Sequence, residues 1–203
     1  MKDFWNERYS AAQFVYGKKP NEYFKEKLTK FNPGTILFPA EGEGRNAVFA
    51  ATLGWKVSAF DTSTEGRKKA LRLAEEHNVE IDYQTAKLSK IGYKTAEFDV
   101  IALIFTHFPP EIRKEYFQHF NAYLKVGGIL IFEGFSKKQC EYQKRNPEAG
   151  GPKDVEMLFS ELELKHDFPD FDFMEFNETE VELDEGLFHK GKGSVIHFVA
   201  KKK

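Results

Sequence analysis

Thr35-Ile36-Leu37-Phe38-Pro39 runs straight into Ala40-Glu41-Gly42-Glu43-Gly44-Arg45-Asn46-Ala47, and the reading of this stretch decides the fold. A short apolar run of buried-strand length meets two glycines, and an alanine-rich helical pattern, Arg45–Leu53, follows at once. Gly42 and Gly44 let the backbone turn tightly and approach a ligand. The first turn of the new helix then directs unpaired N–H groups at that ligand. Asp61 closes the next apolar run, Lys56–Phe60, where a carboxylate can accept both hydroxyls of a ribose. Strand, glycine loop, helix, strand and acid in one unit form a stronger signal than a lone glycine motif.

Outward from this unit, Glu80–Gln84, Asp99–Phe105 and Gly128–Phe135 have the length and bulk of further buried strands. Between them lie helical signals. Thr62 and Glu65 read as a capping box before Arg67–His77. Pro109-Pro110 opens a helix to about Leu124, which Gly127-Gly128 ends. Ile91–Thr95 stays open between a loop and a short helix. Strands alternating with helices predict a parallel sheet wound by right-handed crossovers. Farther on, Ser160 and Glu163 form a second capping box, for a helix to about Asp167. Phe171–Leu183 and Ser194–Lys201 then read as an antiparallel hairpin joined by the glycine-rich stretch Asp184 to Gly193. The expected fold class is α/β, Rossmann-like, with a seven-stranded mixed sheet in a single domain, 1–203.

Composition removes several function classes. The 203 residues carry 30 Lys and Arg against 32 Asp and Glu, a formal charge of −2, which argues against a nucleic-acid partner. The longest apolar run, Val100–Phe105, is too short to span a bilayer, so no membrane partner is expected. Cys140 has no internal partner and the N-terminus shows no apolar signal region, which suits the cytoplasm. The histidines show no metal-ligand spacing, so no metal site is expected. Phenylalanine is abundant, at 21 residues. Phe49, Phe60, Phe98, Phe132, Phe173 and Phe198 fall in predicted elements and read as core. Phe14, Phe105, Phe108 and Phe135 fall where a ligand should sit.

The spacing Gly42-x-Gly44-x-x-Ala47 also fits a dinucleotide fingerprint, and charge decides between ligands. Glu41 and Glu43 flank the glycines and would repel a pyrophosphate. A sulfonium and an α-ammonium would be welcome there. S-adenosylmethionine (SAM) carries both, with one carboxylate for the helix N-terminus. A loop that binds nothing is the plain alternative, and its combined tuning of glycine and charge argues against that.

Ala40–Val48 and Trp55–Ser63, with Phe98–Pro110 and Leu124–Gly128, together resemble a class I SAM-dependent methyltransferase. Phe4-Trp5-Asn6-Glu7-Arg8-Tyr9, Val15-Tyr16-Gly17 and Pro20-Asn21 are similar to the leading lid of the small bacterial tellurite-resistance and thiopurine-methyltransferase-like group. The resemblance implies a helical lid over residues 1–32. It implies SAM as cofactor, with S-adenosylhomocysteine as product. The implied cofactor-binding residues are Tyr16, Glu41, Gly42, Glu43, Gly44, Asn46, Asp61, Thr62, Ser63, Lys87, Leu88, Ile104 and Phe105. Tyr9, Phe14, His107, Phe108 and Phe135 are the expected contacts to a small-molecule acceptor. Three features depart from the superfamily pattern. Phe38 stands where an acid is usual and Ala40 where glycine is usual, with Pro39 late in the strand. Ala86-Lys87-Leu88 lacks the acid that reads the adenine. Glu41 or a backbone carbonyl is then expected to receive the methionine ammonium, and the Lys87 and Leu88 backbone the adenine edge.

Methyl transfer is an in-line displacement that needs alignment and exclusion of water. A soft acceptor such as a thiolate, or a selenium or tellurium oxyanion, needs little base help. An alcohol or amine acceptor needs a base nearby. His107 and Glu133 are the candidate catalytic residues. Each also has a plainer reading, His107 as a loop histidine and Glu133 as one half of an ion pair. A macromolecular acceptor is disfavoured by the near-neutral charge. A non-catalytic SAM-binding protein and an NAD-dependent oxidoreductase are the remaining alternatives.

Overall fold

Seven strands form one sheet in the order β3-β2-β1-β4-β5-β7-β6 in a computed structural model that describes residues 2–203. Met1, the first residue of the expected lid, lies outside the described residues. The strands are β1 (Thr35–Pro39), β2 (Lys56–Asp61), β3 (Asp82–Thr85), β4 (Phe98–Ile104), β5 (Leu124–Phe135), β6 (Phe171–Glu185) and β7 (His189–Lys202). The first five pair in parallel; β7 runs antiparallel to both β5 and β6. The helices are α1 (Lys2–Tyr9), α2 (Glu22–Leu28), α3 (Arg45–Thr52), α4 (Thr64–Glu76), α5 (Pro110–Tyr123), α6 (Gln139–Arg145) and α7 (Glu161–Asp167).

Each face of the sheet has its own core. On one, Leu103, Phe132 and Phe198 pack with Phe117 and Phe120 of α5 and Leu164 of α7. On the other, Phe38, Ala102 and Ile131 pack with Phe24 and Leu28 of α2 and Ala47 of α3. Alternation along each strand supplies one side chain to each core in turn. Phe132 stacks on Phe198 at 4.8 Å and Phe198 on Phe176 at 5.4 Å, tying the parallel part to the hairpin. Pro39 occupies the last position of β1, where the absent N–H is tolerated.

Three local expectations are corrected. The cap of α4 is Ser63 rather than Thr62: the Ser63 hydroxyl accepts from the Gly66 N–H at 3.1 Å. Helix α5 gives way directly to β5 at Leu124, so Gly127-Gly128 lies inside the strand instead of ending the helix. The hairpin strands run on through most of the glycine-rich stretch, pairing out to Glu185 and His189 and leaving only Gly186–Phe188 as the turn. Long strands carry that tip to the carboxyl ends of the parallel strands. The stretch Ile91–Thr95 holds no helix; a short 3-10 turn precedes it at Leu88–Lys90.

Candidate functional site

Glycine and charge shape the loop after β1. Gly42 and Gly44 take φ of +64° and +86°, the left-handed region open to glycine. A side chain on Gly44 would also run into Ala70 of α4. Glu41 turns back over the start of α3 and accepts from the N–H groups of Asn46 at 2.9 Å and Ala47 at 2.8 Å. Two N–H groups expected to face a ligand are therefore capped by the loop itself. Burial pushes the Glu41 carboxyl up to about 7, against the pull of these two bonds and of Arg45. Asp61 accepts from the Gly42 N–H at 3.1 Å and the Ser63 N–H at 2.8 Å. Burial raises its pKa, and the amides offset part of that rise.

Glu43 points the other way. Its carboxylate is 4% exposed with the rest of the residue. It accepts from the N–H groups of Val15 at 2.8 Å and Tyr16 at 3.2 Å and from Lys69 Nζ at 2.7 Å. Lys69 also donates to the Gln13 carbonyl at 2.7 Å. Glu43 thus fastens the N-terminal segment to the loop and to α4. Tyr9 of α1 covers the loop, its hydroxyl lying where a side chain on Gly42 would stand. Asn6 accepts from Ser63 Oγ at 2.8 Å and from the Thr64 N–H at 2.9 Å, so α1 also helps cap α4. Thr62 is half-buried beside them, Leu88 is buried and Lys87 is exposed.

An aromatic cluster at the hairpin end of this edge gathers around a residue the sequence did not single out. His189, at the hairpin tip, is buried among Tyr16 and Phe105, each with ring centroid 4.7 Å away, and Phe135 at 5.1 Å. Phe105 follows Ile104 at the end of β4 with φ of +52°, a strained conformation for a bulky residue. Its N–H is held by the Glu133 carbonyl at 2.7 Å. His189 Nδ1–H donates to Glu185 at 3.0 Å, and Arg45 donates to the same oxygen at 2.8 Å. Burial by itself would raise the Glu185 carboxyl; Arg45 and His189 outweigh it and bring it down to about 2. Burial lowers the His189 pKa in spite of Glu185. Asn21 ties these parts together. Its side-chain amide donates to Glu133 at 2.8 Å and to Glu185 at 3.1 Å, and its backbone N–H donates to Asn46 at 2.9 Å.

Phe108 and Phe14 stand apart from this cluster, and His107 borders it, stacked on Phe135 at 5.8 Å. His107 donates from Nδ1 to the Met157 carbonyl at 2.9 Å and accepts the Phe135 N–H at Nε2, at 3.3 Å. Burial lowers its pKa to about 4. With both nitrogens engaged, it braces the end of β5 and has no nitrogen free to act as a base. Phe108 packs on Tyr116 and Phe120 of α5, in the core and away from the aromatic cluster. Phe14 lies against Lys18, Lys69 and Arg72 on the α3–α4 side. Asn21, Arg45, Glu185 and His189 were missed as site residues. For the last two, the signal was the alternation of Leu183, Glu185 and His189 across a stretch whose glycines suggest a loop.

Residues 36–128 match the family model described as a methyltransferase domain. That match takes in just under half of the chain, and the fold around it is that of the class I SAM-dependent methyltransferases. The sheet order and the antiparallel hairpin are those expected of that class. Among solved structures, it resembles a protein described under conversion of a disulfide bond into a thioacetal group during echinomycin biosynthesis. That match has TM-score 0.76 and 16% identity and covers 100% of this chain and 92% of the other. TehB from Haemophilus influenzae gives TM-score 0.71 and 19% identity, with 100% of this chain and 67% of the other covered. Magnesium protoporphyrin IX methyltransferase from Synechocystis, solved with bound S-adenosylhomocysteine, gives TM-score 0.71 and 15% identity over 100% and 97%. At these identities the likeness is one of fold. No curated protein matches the chain. Among the described residues, no helix is long and apolar enough to cross a membrane.

Proposed function

We propose that this chain is a SAM-dependent methyltransferase that moves the methyl group to a small acceptor with a soft nucleophile, a thiol or a selenium or tellurium oxyanion. Residues 1–32 act as a lid on a single-domain chain. The glycine loop and Asp61 carry the cofactor, Asp61 taking the ribose hydroxyls. The acceptor enters among Tyr16, Phe105, Phe135 and His189. The convergence of these four rings, from the lid, two strand ends and the hairpin tip, carries the reading. The rings pack on one another at the carboxyl ends of the strands, where ligands of open α/β sheets bind. Such a wall excludes water and suits a sulfonium by cation–π attraction. A structural neighbour described by chemistry at sulfur shares this fold.

His189, oriented through Nδ1 by Glu185, is the group placed to take a proton at Nε2 as the nucleophile attacks. That geometry also favours a second reading, an alcohol or amine acceptor that needs a base. Initial rates with SAM and matched thiol, selenite, tellurite, phenol and amine acceptors separate the two. Turnover of thiols or oxyanions supports the first reading; turnover of phenols or amines alone supports the second. Binding of S-adenosylhomocysteine without turnover of any acceptor would make the chain a silent binder.

A further inference from the structure

The departure at position 38 leads to a carboxylate on another strand. Phe38 is fully buried and packs edge-on to Phe24 of α2 at 5.4 Å, so that position offers nothing to a ligand. Ile129 and Ile131 of β5 share its core cluster. Strand alternation puts Glu133 on the same face, one step nearer the carboxyl end. There the apolar packing stops. A groove of about 1210 Å³ opens, lined by Tyr16, Asn21, Tyr23, Arg45, Glu133 and Glu185 among others, with more carboxylates than cationic side chains.

Glu133 is under-satisfied. Its side chain is 5% exposed. Oε1 accepts from Asn21 at 2.8 Å. Among the described residues, no donor reaches Oε2. His197 Nδ1 stands 3.7 Å from it, beyond hydrogen-bond range, with its ring stacked on Tyr23 at 4.1 Å. A carboxylate offers about four acceptor sites, and burying one with a single bond is costly. Arg45 is on Glu185 and Lys19, and Asn21 uses its second N–H on Glu185. His197 Nδ1 is itself buried without a hydrogen-bond partner among the described residues, held by its stacking on Tyr23 just short of Oε2. The free oxygen lines the groove.

We propose that Glu133 anchors an ammonium group of a bound ligand through Oε2. The proposal rests on the glycine loop as the cofactor shelf. Asn21 joins the two places, bonding Asn46 in the first turn of α3 through its backbone and Glu133 through its side chain. The amino-acid tail of a cofactor on the loop therefore has the anchor beside it. The carboxylate missing at position 38 is supplied from β5. A primary amine on the acceptor has the same chemistry and would use the same oxygen.

Calorimetric titration of Glu133→Gln and wild type tests this with two nucleosides. S-adenosylhomocysteine carries the α-ammonium; 5′-methylthioadenosine lacks the amino-acid tail. An anchor for the cofactor weakens the first by about 10-fold or more in Glu133→Gln and leaves the second unchanged. An anchor for the acceptor leaves both nucleosides unchanged and removes a wild-type preference for 2-aminoethanethiol over ethanethiol. Equal weakening of both nucleosides, reproduced by Asn21→Ala, would reduce Glu133 to a partner of Asn21 and overturn the proposal. So would unchanged nucleoside affinity together with unchanged acceptor preference. Wild type that binds neither nucleoside overturns the cofactor shelf and this proposal together. Thermal melting of Glu133→Gln checks that the variant is folded.

Discussion

The two sides of the ligand edge hold their carboxylates by different means. On the glycine-loop side, Glu41, Glu43 and Asp61 are gripped by backbone N–H groups, with Lys69 added at Glu43. On the hairpin side, Glu133 and Glu185 are held by the side chains of Asn21, Arg45 and His189. Backbone donors are fixed by the fold, so the first group shapes the site before any ligand arrives. Side-chain donors can turn, so the second group can exchange partners with a ligand. Charge near a ligand site is thus of two kinds, and counting acids does not separate them.

The largest test of that contrast is Glu43→Ala. It leaves Lys69 buried without its carboxylate and frees the Val15 and Tyr16 amides, and it should cost about 3–5 kcal/mol in chemical denaturation. A loss below about 1 kcal/mol would mean that the clamp is ornamental. His107 belongs with the backbone-bound group. His107→Ala strands the Met157 carbonyl and the Phe135 N–H, an expected loss of about 1–3 kcal/mol. The pH dependence of the surviving activity keeps its shape if His107 is a brace, and changes shape if it is a base.

Titration sharpens the contrast further, because one acid from each side shifts in the opposite direction. Glu41 rises from 4.5 to about 7, so the folded state binds its proton more tightly than the unfolded chain does. Its stabilising contribution is full below 4.5 and is lost as pH rises to about 7. Glu185 falls from 4.5 to about 2, so its contribution is present above 4.5 and is lost as pH drops toward 2. Glu41→Gln should therefore flatten the melting temperature against pH above 4.5, and Glu185→Gln should flatten it below 4.5. Identical profiles for both variants would erase the distinction.

Much of this was legible in the sequence, because local rules govern it. Strand period, the Ser160–Glu163 box and the glycine loop each follow from residues near one another. The direction of Glu43 was not legible. Its donors, Val15, Tyr16 and Lys69, come from distant parts of the chain, and flanking a glycine says nothing about which way a side chain turns. Glu185 and His189 were hidden because glycines at 186, 191 and 193 signal a loop, whereas cross-strand pairing carried the strands through them. Phe108 shows the converse error. A position just beyond a strand end suggested a pocket wall, and the helix that follows drew the ring into the core.

The proposed SAM shelf is the glycine loop together with Asp61. Calorimetric titration of wild type and Asp61→Ala with S-adenosylhomocysteine and with NAD tests it most directly. S-adenosylhomocysteine is expected to bind wild type and to bind Asp61→Ala about 2 kcal/mol more weakly, and NAD is expected to bind neither protein. Binding of NAD in place of S-adenosylhomocysteine, or equal affinity of the two proteins for S-adenosylhomocysteine, would contradict it.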